Sequence, residues 1–304
     1  MRVFVTGASG WIGSAVVPEL LGAGHTVLGL ARSDAAADAL TAAGAEVQRG
    51  TIDDLDALRE AASVSDGVIH LAFKHEQAFS GDFAGAADTD RRAIETFGAA
   101  LEGTGGSLVI ASGLAGHPQG VVVTEHDAPE PDSPAGHRVL SERTALGLAS
   151  AGVRSSSVRF APTVHGAGDH GFMATIVGVA RDRGVSAYVG DGANRWPAVH
   201  RLDAARLVRL ALEDAPAGSV LHATAEEGVP LRAVAEAIGG QLGVPVTSIA
   251  PEAAEAHFGW LGRFVALDIV ASSALTRDLL AWQPTGPGLV EDLEHGDYFL
   301  EIAV

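Results

Sequence analysis

The chain contains no cysteine, only one lysine (Lys74) and only two tyrosines (Tyr188 and Tyr298). Without cysteine there is no disulfide, no thiol nucleophile and no thiolate metal ligand. No run approaches the roughly 18 uncharged apolar residues of a membrane helix, so no membrane partner is expected. No basic cluster offsets the formal net charge of −18. A surface of that sign repels a phosphate backbone, so nucleic acid is not an expected partner either. The first residues read as a strand and leave no room for a signal peptide, which points to a cytoplasmic protein. What the chain does have is 47% hydrophobic residues, enough to bury a large core.

Those residues are organised as alternating strands and helices. Strands are expected at residues 2–5, 26–31, 46–48, 67–72, 107–111 and 156–160. Helices are expected at 15–21, 35–43, 55–62, 90–101 and 139–149. Such alternation implies an α/β fold, a Rossmann-type doubly wound parallel sheet. After about residue 160 the pattern loosens into glycine-rich loops at 166–171 and 190–194. Helical patterns then follow at 204–212, 231–242, 251–258 and 274–281, with a late strand at 219–222. This part reads as a smaller, mainly helical C-terminal substrate lobe. Residues 1–162 form the expected cofactor-binding domain, to which about 198–224 returns. Residues 163–197 and 225–304 form the expected lobe over the open edge of the sheet.

The first strand runs into Thr6, Gly7, Ala8, Ser9, Gly10, Trp11, Ile12 and Gly13, and a helical pattern follows. A strand that stops at a glycine, turns tightly and opens a helix aims free N–H groups and a positive dipole end at one spot. A pyrophosphate fits there. Gly7 would permit the turn, Gly10 the approach of phosphate and Gly13 the packing of helix on strand. The second strand ends in Arg32 and Ser33. A ribose 2′-phosphate calls for such cationic and hydroxyl groups, whereas an NAD site carries an acid, so NADP(H) is expected over NAD(H). Asp53 is a candidate partner of the adenine amino group, or else a helix cap.

These residues resemble the extended and atypical short-chain dehydrogenase/reductase superfamily, in its NAD-dependent epimerase/dehydratase-like branch. The glycine turn is similar to its nucleotide motif, and His70-Leu71-Ala72 to the end of its fourth strand. Ala111-Ser112-Gly113 resembles its serine segment, and Arg159-Phe160-Ala161-Pro162 with His165-Gly166 its loop beside the nicotinamide. The segment Trp196-Pro197-Ala198-Val199-His200-Arg201-Leu202-Asp203 resembles a further family segment. The resemblance implies NAD(P) contacts at Leu71, Ala72, Phe73, Ala161 and Pro162, and a small-molecule substrate. It also implies a possible homodimer through helices such as 139–149.

One family feature is missing. The family's acid is a tyrosine with a lysine four residues on, and Lys74 excludes that pair anywhere in this chain. Counting from Ser112 puts His137 and Ser141 at the two positions. Matching Ser141-Glu142 to the family's Ser-Lys instead puts Arg138 and Glu142 there. His137 is the first candidate acid, because histidine can deliver a proton near neutral pH. Ser112 would hold the substrate oxygen, with Lys74 or Arg138 as electrostatic support. His165, Arg195 and His200 are candidate substrate contacts. The His165, Asp169 and His170 grouping lies on a glycine loop without a third histidine at ligand spacing, and no metal is expected. The expected function is NADPH-dependent reduction of a small carbonyl or related compound. The alternatives are a non-catalytic NADP(H) sensor and a nucleotide-sugar epimerase or dehydratase.

Overall fold

In the computed structural model, which describes residues 1–114, 116–129 and 136–299, neighbouring residues of the first strand enter different cores. β1 (Arg2–Thr6) sends Val3 and Val5 to one face and Phe4 to the other. All three are fully buried. That is the condition of a sheet covered on both faces, and it explains why its strands are continuously apolar.

Apart from short 3-10 turns, the chain continues through α1 (Gly13–Gly22), β2 (Thr26–Ala31), α2 (Asp34–Ala42), β3 (Glu46–Arg49), α3 (Leu55–Ser63), β4 (Gly67–His70), α4 (His75–Phe79), α5 (Phe83–Leu101) and β5 (Ser107–Gly113). After β6 (Val122–Val123) and α6 (Gly136–Gly147) come β7 (Arg154–Phe160), β8 (Thr163–His165), α7 (Phe172–Arg183), β9 (Ser186–Val189), β10 (Arg195–His200), α8 (Arg201–Asp214) and β11 (Ser219–Ala223). The remainder is β12 (Glu226–Pro230), α9 (Leu231–Leu242), β13 (Val246–Ile249), α10 (Ala254–Phe258), α11 (Gly262–Val265), β14 (Val270–Ala271), α12 (Ala274–Leu280) and α13 (Leu289–His295).

The central sheet has seven parallel strands in the order β11-β7-β5-β4-β1-β2-β3. Strand order therefore reverses between β1 and β4, and the carboxyl ends of those two strands flank the crevice where an open α/β sheet binds its ligand. On one face Val16 and Leu20 of α1 and Leu207 and Val208 of α8 pack on the sheet. On the other, Leu58 of α3 and Phe97 and Leu101 of α5 pack on Phe4 and Leu108. A separate core holds the lobe together, with Met173, Ile176, Trp196, Val234, Ile238, Leu261 and Leu293 among its members.

The structure extends the sequence reading in three places. The helix expected from residue 90 begins at Phe83, because the Asp82 carboxylate caps it by accepting from the Gly85 N–H at 2.9 Å. The glycine-rich stretch after Gly166 conceals α7, whose Met173, Ile176, Val177 and Ala180 recur at helical spacing into the lobe core. Beside its helices the lobe carries short strands, with β12, β10 and β8 forming a second sheet. Among the described residues no helix is long and apolar enough to cross a membrane. Residues 300–304, within the expected lobe, and Pro134 and Ala135, just before the expected acid, lie outside the described residues.

Candidate functional site

Gly7 has φ +65°, and a Cβ there would come within 2.7 Å of the Ala72 nitrogen. At Gly13 a Cβ would sit 2.0 Å from the Gly7 carbonyl oxygen. Both positions therefore demand glycine, one for conformation and closeness to the loop after β4, the other for packing α1 on the turn. The Gly10 N–H closes the turn by donating to Gly7 O at 2.9 Å. Ile12 occupies the N-cap of α1 and provides no side-chain cap. The Ser14 and Ala15 N–H groups donate to Gly10 O and Ile12 O within the turn, and no side chain caps the positive end of α1, which is where an anion is favoured. Thr6 is fully buried, and its Oγ1 accepts from Ala72 N at 3.3 Å and contacts His70 Nδ1 at 2.6 Å. Leu71 N donates to Thr6 O at 3.2 Å, and Ala72 and Phe73 follow it after β4. The Trp11 indole N–H donates to Val164 O at 2.8 Å, joining the turn to β8.

At the far end of the turn, Arg32 is exposed at the end of β2. Ser33 caps α2, its Oγ accepting from the Ala36 N–H. Arg49, on the neighbouring strand, donates to Ser33 O at 2.6 Å and to Asp34 at 2.5 Å. Two guanidinium groups therefore stand at this edge, one of which sequence reasoning overlooked. Asp53 accepts from Lys74 at 2.7 Å, so two expected site residues meet each other.

His137 and Arg138, one residue apart on α6, point in different directions. His137 is exposed. Arg138 turns toward the sheet, donates to Ala111 O at 2.6 Å and lies 4.2 Å over the Phe73 ring. Its Nε is buried without a partner among the described residues. Asp90, almost fully buried on α5, is in range of Arg138, with His70 Nε2 3.2 Å from its Oδ1. Burial opposes the Asp90 charge, but Arg138, His70 and Ser141 outweigh it and hold the carboxyl below its ordinary pKa. Ser112 follows Ala111 at the carboxyl end of β5.

One helical turn on, Glu142 is buried against Arg159. Two nitrogens of the guanidinium donate to its oxygens at 2.6 and 3.0 Å, and Ser157 Oγ adds a bond at 2.8 Å. Burial works against the Glu142 charge, yet Arg159, Ser157 and Ser112 keep its pKa lowered. Arg159 also donates to His222 Nε2 at 3.4 Å. A guanidinium has only donors, so Nε2 accepts and the His222 proton sits on Nδ1, which donates to Ser272 O at 2.8 Å.

On the lobe side, Ala161 and Pro162 lead into β8. His165 is fully buried, with Nδ1 2.8 Å from Asp292 of α13 and its ring 5.6 Å from that of His200. Burial, then the nearby His165, lowers the His200 pKa. Arg195 is engaged by Asp268, with Nε at 3.0 Å and a terminal nitrogen at 2.9 Å, and does not reach the crevice as a free cation. The Tyr298 hydroxyl donates to Asp169 at 2.7 Å and accepts from Gly166 N at 3.4 Å, tying down the glycine loop. Burial, then Asp169, raises the Tyr298 pKa. Arg201 lies 4.2 Å over the Trp11 ring and donates to Ser14 Oγ at 2.7 Å, which brings a cation to the start of α1. Asp90, Arg201, Asp292 and Tyr298 were missed by sequence reasoning. Nothing in a sequence pairs His165 with a carboxylate 127 positions away.

With this geometry in hand, the comparisons with known proteins are specific. The model of the NAD dependent epimerase/dehydratase family matches residues 3–223. An uncharacterised protein of Schizosaccharomyces pombe is 48% identical over 98% of this chain and 100% of its own length. An uncharacterised protein of Saccharomyces cerevisiae is 42% identical over 96% of this chain and 98% of its own. The structure of a dTDP-glucose 4,6-dehydratase double mutant from Streptomyces venezuelae, solved with NAD bound, superimposes with a TM-score of 0.79. That match has 22% identity and covers 99% of this chain and 98% of the other. The chain is therefore a member of the NAD dependent epimerase/dehydratase family, built on its Rossmann-like fold.

Proposed function

We propose that the protein is an NADPH-dependent oxidoreductase that reduces a small carbonyl or related compound. The observation that carries this reading is the pairing of Arg138 with the end of β5, beside Ser112 and across the crevice from the glycine turn. The turn fits a dinucleotide, since only glycine is accommodated at Gly7 and Gly13 and α1 begins without a side-chain cap. Thr6, Ser9, Gly10, Trp11 and Ile12 would surround the pyrophosphate. Leu71, Ala72, Phe73, Ala161 and Pro162 would follow the cofactor toward its nicotinamide. Arg32 and Ser33, with Arg49 beside them, favour a 2′-phosphate and hence NADP(H). Residues 1–162 with 198–224 serve the cofactor, and 163–197 with 225–304 the substrate.

When bound, the cofactor supplies the hydride. Ser112, whose hydroxyl also faces Glu142, would turn its one O–H to the substrate oxygen, and Arg138 would stabilise the negative charge that develops there. A guanidinium does not give up its proton near neutral pH, so Arg138 acts by charge and position. His137, exposed one residue away, does not face the sheet, so the proton that completes the alcohol would come from solvent by way of the Ser112 hydroxyl. Glu142 transfers nothing, because its carboxylate is committed to Arg159. It fixes α6 against β7 and so positions Arg138.

The test is NADPH fluorescence on mixing with purified protein, followed over time with a panel of carbonyl compounds. Enhancement followed by decay supports the reading, with decay slowed in Arg138→Met and Ser112→Ala. Unchanged rates in both variants would sink the residue assignment. The buried Glu142–Arg159 pair favours one other reading, a non-catalytic cofactor sensor, because it stands where the resemblance puts a lysine. Enhancement that never decays with any compound selects that reading.

A further inference from the structure

A row of flat side chains runs from the crevice to the lobe. Phe73, beneath Arg138, has its ring centre 5.2 Å from that of His75, and His75 is 5.9 Å from Phe79 on α4. The row then crosses between the two halves of the molecule. Phe79 and Trp260 meet at 5.0 Å with their planes tilted by 32°. Trp260 continues to Phe172, the first residue of α7, at 5.7 Å. Phe79 and Trp260 are each nearly half exposed, 49% and 44%. Large rings left open to water at a cleft are costly unless something apolar covers them.

Among the described residues no arginine of the lobe lies over the rings of Phe79, Trp260 or Phe172. Arg195 is engaged by Asp268, Arg232 by Glu236 and Arg263 by Glu255. Arg181, Arg183 and Arg277 donate to backbone carbonyls. Lys74 is held by Asp53. A substrate carrying a diphosphate would need cationic groups beside the row, and none of these side chains stands over it. His75 adds no charge near neutral pH, since burial and then Arg138 lower its pKa.

We infer that this cleft takes an uncharged carbonyl compound with a flat apolar body, which stacks against Phe79 and Trp260 while its oxygen reaches Arg138. The inference rests on the reductase reading for the word substrate, but the recognition of the ligand does not. Stacked aromatic pairs favour offset or tilted contact, the arrangement that Phe79 and Trp260 already adopt. Small aliphatic carbonyls would leave the row uncovered, and nucleotide sugars would find no counter-charge over it.

The experiment is calorimetric titration of the full chain holding NADP+, with p-nitrobenzaldehyde, glyceraldehyde and UDP-glucose as probes, alongside NADPH consumption with each. The aromatic aldehyde is expected to bind at least about tenfold more tightly than glyceraldehyde, and UDP-glucose to give no saturable binding. Trp260→Ser and Phe79→Ser should each weaken the aromatic aldehyde about tenfold while NADPH affinity stays constant. Equal or tighter binding of glyceraldehyde or UDP-glucose overturns the inference, as does unchanged aldehyde affinity in both variants. Binding of the aromatic aldehyde without NADPH consumption supports the ligand class and defeats the reductase reading. Consumption without preference among the carbonyls does the reverse.

Discussion

The Arg138 guanidinium is held between the Phe73 ring, 4.2 Å beneath it, and the Ala111 carbonyl, 2.6 Å away. Neither contact neutralises it, so its charge is available both to the buried Asp90 and to a developing oxyanion. Arg138→Met keeps the bulk over Phe73 and removes the charge. Turnover should fall by about two to three orders of magnitude, the loss seen when one oxyanion donor is removed. The dissociation constant for NADPH should change less than about twofold, because Arg138 does not touch the glycine turn. Steady-state rates and a fluorescence titration on the same preparation separate the two effects.

Gly13→Ala tests the turn. The added methyl would lie 2.0 Å from the Gly7 carbonyl oxygen and 2.8 Å from Ala8 Cα. Both are backbone atoms and cannot rotate away. The turn must open, at a cost of about 1–3 kcal/mol of stability, and the N–H groups that would hold a pyrophosphate move with it. Thermal unfolding should show a lower Tm that added NADPH no longer restores. A variant that NADPH stabilises as well as the parent would disprove the placement of the pyrophosphate.

The central sheet was legible because two-sided burial writes itself into composition: Val3, Phe4 and Val5 must all be apolar when each face is covered. The glycine turn was legible for a steric reason, since no other residue fits at Gly13. The site beyond it was much less so. His137 and Arg138 differ by one position, but on a helix that is a rotation of about 100°, and only the packing of α6 decides which faces the sheet. Arg49 reaches Ser33 through a strand pairing, and Asp292 reaches His165 from the last helix. Those contacts depend on the folded arrangement of distant segments. By contrast, α7 could have been found, since Met173, Ile176, Val177 and Ala180 carry a helical period between glycines.

Cofactor preference turns on the pair Arg32 and Arg49. Among the described residues no carboxylate pairs with Arg32, whereas Arg49 is tied to Ser33 and Asp34. Replacing Arg32 by serine removes the exposed cation at this edge, and NADPH affinity should drop about tenfold, the worth of one charge-assisted contact. NADH affinity should stay within about twofold. Parallel titrations with both cofactors decide it, and an equal loss for both would mean that Arg32 contacts the shared part of the dinucleotide.

His222 links stability to pH. Burial is the main cause that lowers its pKa from 6.5 to about 4, and its neutral ring serves as acceptor for Arg159 and donor to Ser272. In the unfolded chain the ring takes up a proton below about pH 6.5, whereas the folded ring resists until about pH 4. The folded state binds fewer protons over that window, so acidification favours unfolding. The stabilisation is fully present above pH 6.5, declines as pH falls, and amounts to about 3 kcal/mol across the window. The lowered carboxyls of Asp90 and Glu142 add a loss in the same direction, concentrated below their unfolded pKa values. His222→Asn keeps a donor for Ser272 and does not titrate. Its stability should therefore be lower than the parent's at pH 7 yet flatter between pH 6.5 and 4.5, as measured by urea unfolding at each pH. Parallel curves for parent and variant would show that the folded His222 titrates normally, and the buried Arg159–His222 contact would then have to be loose enough to admit a proton.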